Sequence, residues 1–164
     1  MTYHEIISAK IFSREDLVRK VQRLQYFGKK VVFTNGCFDL LHLGHVDYLA
    51  KAKDCGDFLI VAVNADESVK RLNKGDSRPI QDEHSRAMII ANLHVVDAVI
   101  VFNEETPYEL IAALVPNVLV KGADYRVEQI AGHDVVLQHG GKVELIELVQ
   151  GYSTSAIEKK IKEA

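Results

Sequence analysis

Two histidines, His42 and His45, flank Leu43-Gly44 in the stretch TNGCFDLLHLGHVDYL, directly after a β-branched run. Three residues apart, they can share one side of a first helical turn and offer ring N–H donors to phosphate oxygens, while Gly44 lets a ligand approach the backbone. A helix opening here adds free amide N–H groups, a natural seat for phosphate. A metal alternative is a zinc site built from Cys37, His42, His45 and Cys55. Its spacing fits no finger or ribbon, and Cys55 falls at the far end of the same helical stretch. The first segment contains neither GxGxxG nor GxxxxGK[ST], which disfavours ordinary dinucleotide binding and P-loop chemistry.

The elements that must position these side chains follow from two alternating periodicities. Continuous apolar runs at Val31–Thr34, Phe58–Asn64, Ala98–Phe102, Val118–Lys121 and Val143–Leu148 read as strands covered on both faces, the pattern of a parallel sheet. Helical stretches separate them. Ser13 and Asp16 open a first helix over about 13–27 that carries Leu17, Val21 and Leu24 inward and stops at Gly28. Gly44–Cys55 stops at Gly56, and Asp82–His94 sets Met88, Ala91 and Val95 along one side. Thr106-Pro107-Tyr108-Glu109 combines a capping box with proline at the first helical position, and the last helix opens near Ser153–Ser155. The loop Asn73–Pro79 joins turn chemistry to charge. The expected fold is a doubly wound α/β sheet of five parallel strands, Rossmann-like, with right-handed crossovers and a ligand site at the carboxyl ends of its strands.

Composition bounds the rest. With 164 residues, 48% of them hydrophobic and 26% charged, the chain has enough material for one core, so 1–164 reads as a single domain with its main body over 30–164. A net charge of −3 leaves no footprint for nucleic acid. No apolar run approaches the roughly 18 residues a membrane span needs, and the N-terminus lacks a signal-peptide layout, so no membrane partner and a cytoplasmic location are expected. Two cysteines are too few for a disulfide framework.

The residues also carry a resemblance. His42-Leu43-Gly44-His45 after a first strand resembles the HxGH motif of the nucleotidyltransferase superfamily, and Tyr152-Ser153-Thr154-Ser155 resembles its second, ISTT-type motif. The segments TNGCFDLLHLGHVDYL, GDFLIVAVNADESVKRLNKGDSRPI, TPYELIAALVPNVLVKGADY and EQIAGHDVV are similar to the adenylyltransferase domain of the bifunctional heptose kinase/adenylyltransferases, here expected in stand-alone form. The likeness runs from about Lys30 to Ile161, with Tyr152 and Ser155 as its small departures.

The resemblance implies attack of D-glycero-β-D-manno-heptose 1-phosphate on the α-phosphorus of ATP, giving ADP-heptose and pyrophosphate for lipopolysaccharide core synthesis. The attacking oxygen is already anionic, so alignment and charge stabilisation matter more than a strong base. Mg²⁺ would ride on the ATP phosphates rather than in a protein cage. In that reading His42 and His45 are catalytic, and Lys74 and Arg78 are mobile cations that close over the phosphates. The nucleotide falls to Thr34, Asn35, Phe38, Gly44, Lys121, Gly122, Asp124, Ser153, Thr154 and Ser155, and the acceptor to Gly36, Cys37, Asp39 and Arg71. Several of these have plainer alternatives: Asp39 as a turn or cap residue, Arg71 as an exposed helix charge, Asp124 as a turn cap, Ser153 and Thr154 as simple N-caps. ATP and heptose 1-phosphate are the implied small-molecule partners, with a homodimer or larger homo-oligomer expected. The rival readings are a cytidylyltransferase acting on glycerol 3-phosphate or a similar acceptor, and a catalytically idle nucleotide-binding domain.

Overall fold

β-Branched residues that line up without polar interruption make strands that must be buried on both sides, and the computed structural model places them in the middle of three layers. It describes residues 1–72 and 77–163. The strands are β1 (Val31–Gly36), β2 (Phe58–Asn64), β3 (Ala98–Phe102), β4 (Val118–Gly122) and β5 (Lys142–Ile146), all parallel, in the order β3-β2-β1-β4-β5. The helices are α1 (Tyr3–Ser8), α2 (Arg14–Tyr26), α3 (Leu43–Asp54), α4 (Asp66–Arg71), α5 (Glu83–Ala91), α6 (Tyr108–Leu114), α7 (His133–Gln138) and α8 (Thr154–Glu163).

Alternation within each strand divides the core. Val31 and Phe33 join Leu17 and Val21 of α2 and Leu110, Ile111 and Leu114 of α6, whereas Val32 joins Tyr48, Leu49 and Ala52 of α3 and Ala87, Ile90 and Ala91 of α5. The order in which strands are added switches sides at β1: the chain goes to β2 on one side and later returns to β4 on the other. The β1–β2 pairing runs from Val31–Phe58 through Gly36–Val63, but the β1–β4 register is Val32–Val118 and Phe33–Leu119. Beyond Phe33 the two central strands part, which opens a cleft at their carboxyl ends.

Several expectations need correction. β5 is an edge strand with only Ile146 buried, so continuous burial on both faces does not extend to it, and it ends at Ile146 rather than Leu148. The buried face of α5 is Arg86, Ala87, Ile90 and Ala91; Val95 lies past the helix end. Met88 turns instead toward α1, where the Ser8 hydroxyl approaches its Sδ at 3.9 Å. The box at Thr106 does not close, because α6 starts one residue later than that motif requires and Pro107 becomes its N-cap. α1 was not anticipated, although Thr2 and Glu5 form a full capping box there. Its exit strand segment covers the β3 edge through Phe12 N–H to Val99 O at 2.9 Å and Val99 N–H to Lys10 O at 2.7 Å.

Candidate active site

The cleft at the strand ends has a volume of about 620 Å³ and is walled by the loop after β1, the start of α3, the end of β4, and the segment leading into α8. β1 releases the chain at Gly36, and Phe38, at a φ of 50°, bends it back toward α3. A side chain at Gly36 would meet the Phe38 ring at 3.0 Å, so the glycine lets that ring lie flat beneath the site. Phe38 in turn supports His45, with ring centroids 5.3 Å apart.

His42 is the N-cap of α3 with extended backbone, and its side chain makes no capping bond. Its ring stacks on that of His45 with centroids 3.9 Å apart and planes 23° off parallel. The Nδ1 atoms of both rings are buried with no hydrogen-bond partner among the described residues. Burial is the main reason both imidazoles titrate below their ordinary range; for His45, the neighbouring His42 adds to it and the Leu40 backbone partly opposes it, leaving a pKa of about 4. Two neutral rings thus sit where α3 presents its unpaired amides. Gly44 makes the stack possible, since a Cβ there would come within 3.0 Å of the His42 ring and 3.4 Å of Tyr152 Cβ.

On the facing wall, Ser153 caps α8 by accepting the Ala156 N–H at 3.0 Å, so the plain N-cap reading of Ser153 describes its geometry here. Thr154 Oγ1 donates to Leu40 O at 3.4 Å, which ties α8 to the loop before α3. Tyr152, Ser153, Thr154 and Ser155 all line the cleft. At the end of β4, Lys121 Nζ donates to Asn35 O at 3.4 Å and lies 5.6 Å above the Tyr125 ring. Gly122 is constrained on two sides: a Cβ would sit 2.5 Å from Asp124 Oδ1 and 3.2 Å from Leu148 Cδ1.

Other expected site residues land differently. Thr34 is fully buried and its hydroxyl pairs with Tyr48 Oη at 2.8 Å, below the cleft floor rather than facing a phosphate. Arg71 also leaves the cleft; it donates to the backbone and side-chain oxygens of Asn103, past the end of β3. Lys74 lies outside the described residues. Asp39 does line the cleft but is only 2% exposed, and its carboxylate accepts the Ile80 and Gln81 amides at 2.9 Å and Arg78 Nη1 at 3.1 Å. Burial pushes that carboxyl up, but these amides and the guanidinium outweigh it and hold it below the usual carboxylate range. Arg78 was expected as a mobile cation. It is instead 9% exposed and locked between Asp39 and Glu158 Oε1, the latter 2.9 Å from its Nε. Cys37 and Asn35 line the cleft, and the Cys37 Sγ approaches Asn64 Oδ1 at 3.8 Å. Cys55 Sγ donates to Lys51 O at the far end of α3, and no group of three or more metal-binding side chains converges among the described residues.

Sequence reasoning missed Arg86. It is fully buried and donates to Gln81 O at 2.9 Å, Cys37 O at 2.8 Å, Asn64 O at 2.7 Å and Asp66 Oδ1 at 2.7 Å. One side chain thus clamps the loop after β1, the end of β2 and the approach to α5. A helical arginine flanked by alanine and serine carries no sequence signal of burial. Leu148, Val149 and Tyr152 were also missed as an apolar wall, because they lie in an irregular segment with no periodicity.

The cytidylyltransferase-like family model matches residues 33–160, from the third residue of β1 into α8. The chain belongs to that family. It is 53% identical over 152 residues to the bifunctional protein HldE of Wolinella succinogenes, covering 93% of this chain and 31% of that protein. With HldE of Campylobacter jejuni it shares 49% over 161 residues, 94% of this chain and 34% of the relative. The chain therefore spans about a third of the length of these relatives. Among solved structures of similar fold, a lipopolysaccharide core biosynthesis protein from Thermoplasma volcanium superposes with a TM-score of 0.60 at 32% identity, covering 77% of this chain and all of that one. A pantoate-beta-alanine ligase from Francisella tularensis has the same TM-score, 0.60, at 18% identity over 94% of this chain and 78% of its own, and shares the fold alone. In this chain His42, His45 and the segment Ser153–Ser155 all line the cleft at the switch point between β1 and β4.

Proposed function

We propose that the chain transfers AMP from ATP to D-glycero-β-D-manno-heptose 1-phosphate, giving ADP-heptose and pyrophosphate for lipopolysaccharide core synthesis. The observation that carries this reading is the stacked His42–His45 pair at the opening of α3, lining one cleft with the first turn of α8. A phosphate oxygen of the acceptor forms a bond to the α-phosphorus as the bond to the bridging oxygen of pyrophosphate breaks. Charge gathers on the non-bridging oxygens, and prepositioned imidazole and amide donors stabilise it there. A bound triphosphate opposes the burial that keeps the imidazoles neutral, but neutral rings already donate through one N–H each.

Mg²⁺ fits this site as a passenger of the nucleotide. Among the described residues the lining carboxylates are Asp39, already engaged by two amides and Arg78, and Asp124, so the ion's oxygen ligands would come from phosphates and water. When bound it would neutralise charge on the leaving pyrophosphate. The wall of Leu148, Val149 and Tyr152 beside the backbone of Lys121–Tyr125 suits a purine, its edges read by backbone groups. The glycerol 3-phosphate alternative is disfavoured by the likeness to two-function relatives across 93% of the chain.

The test is pyrophosphate release from the purified chain with ATP, CTP and GTP, each offered heptose 1-phosphate and a panel of other sugar and polyol phosphates. ATP with the heptose is expected to lead by about tenfold to a hundredfold, the discrimination that unpaired base edges impose. CTP with glycerol 3-phosphate outrunning it would overturn the assignment.

A further inference from the structure

Among the described residues, the Asp39–Arg78–Glu158 cluster connects two walls of the cleft that no backbone hydrogen bond joins. Asp39 is held on the loop side by Ile80 N–H and Gln81 N–H, and Gln81 O is held in turn by Arg86 Nε at 2.9 Å. That end of the cluster is therefore stationary. The other end is Glu158 on α8, a helix of which no residue is buried. Among the described residues its other polar attachment near the first turn is the Thr154 bond to Leu40 O, long at 3.4 Å. Glu158 follows Thr154 by four residues, one turn along the same face of α8. Fixing Glu158 therefore fixes where Thr154 and the Ser153 cap stand relative to the histidines.

We propose that Glu158 is a positioning residue for the nucleotide: acting through Arg78, it fastens α8 so that the Ser153–Thr154 end faces His42 and His45. The inference rests on the transferase reading for the identity of the ligand, though not for the geometry. Two arguments set it apart from the opposite idea, that Glu158 competes with phosphate for Arg78. Arg78 directs Nε to Glu158 and Nη1 to Asp39 at once, 2.9 and 3.1 Å away, so losing Glu158 leaves the guanidinium on Asp39. Both carboxylates stand at a residue only 9% exposed, where an ion pair is weakly screened and its loss is felt.

The experiment uses the full chain with Glu158→Ala, Glu158→Gln and, on the exposed face of the same helix, Lys160→Ala. ATP binding in the presence of Mg²⁺ is measured by titration calorimetry, kcat and KM by pyrophosphate release, and Tm by thermal unfolding. Glu158→Ala is expected to raise Kd and KM for ATP about tenfold with little change in kcat, the size of losing one charge-assisted hydrogen bond at a partly exposed carboxylate. Alanine is the better helix former, so weaker binding cannot be assigned to melting of α8. Glu158→Gln is expected to lose about threefold, because its amide oxygen still accepts from Nε but without charge. Lys160→Ala should match the parent. Unchanged ATP binding in Glu158→Ala, with or without a fall in Tm, overturns the proposal, and tighter binding replaces it with competition for Arg78. ATP binding by the parent without pyrophosphate release on any acceptor overturns the transferase reading while the Glu158 effect is still read in Kd. Absence of ATP binding by the parent overturns both.

Discussion

The Nδ1 atoms of His42 and His45 are buried without a hydrogen-bond partner among the described residues, a costly arrangement that agrees with the catalytic role proposed for them. Replacing either with alanine is expected to lower kcat about 10²–10³-fold, the loss of one transition-state donor, with a much smaller change in ATP affinity. Steady-state kinetics with ATP varied at saturating acceptor checks this. The same burial predicts an acid sensitivity. A histidine of pKa 6.5 when unfolded and about 4 when folded binds its proton first in the unfolded chain, so stability is full above pH 6.5 and falls as pH drops toward 4. The urea midpoint of the parent should decline across that window more steeply than that of His45→Gln. The histidine pair was legible because spacing and chemistry coincide in four residues. Arg78 was legible only as a charge; that it is spent on two carboxylates depends on Glu158, 80 residues away in sequence, and no local pattern reports it.

At the level of elements, strands β2 and β3 were legible to the residue because burial on both faces leaves an unbroken apolar run, whereas β5, exposed along one edge, blurred at both ends. Short helices were the harder part: α4 and α7, of six residues each, have too few turns to show a period. The opening of α3 carries the sharpest element-scale expectation. Gly44→Ala should preserve or raise stability, because alanine is favoured in a helix by about 1 kcal/mol. It should nonetheless lower kcat about tenfold to a hundredfold, because the new methyl group would crowd the His42 ring at 3.0 Å and tilt it off His45. Paired thermal unfolding and kinetic assays separate the two effects.

Across the whole molecule, Arg86 joins segments that the chain order keeps far apart, and its removal would strand three carbonyl oxygens together with Asp66. Arg86→Ala is expected to destabilise the fold by about 3–5 kcal/mol, the range for breaking a buried charge pair, and denaturant titration measures it. Arg86→Lys should lie between, since an ammonium cannot reproduce the fork. No helix of the described residues is long and apolar enough to cross a membrane. The parting of β1 from β4 beyond Phe33 has a further consequence for dynamics. The ends of two central strands, ordinarily the slowest part of a sheet to exchange hydrogen with solvent, are here left open on one side at Asn35 and Gly122, the residues whose backbone groups face the gap. A nucleotide bound there, as proposed, would take the place of the missing rungs. Deuterium uptake at these two amides should therefore slow when ATP is added, while uptake at Val32, Phe33, Val118 and Leu119, already paired, stays as it was: the substrate would complete the sheet.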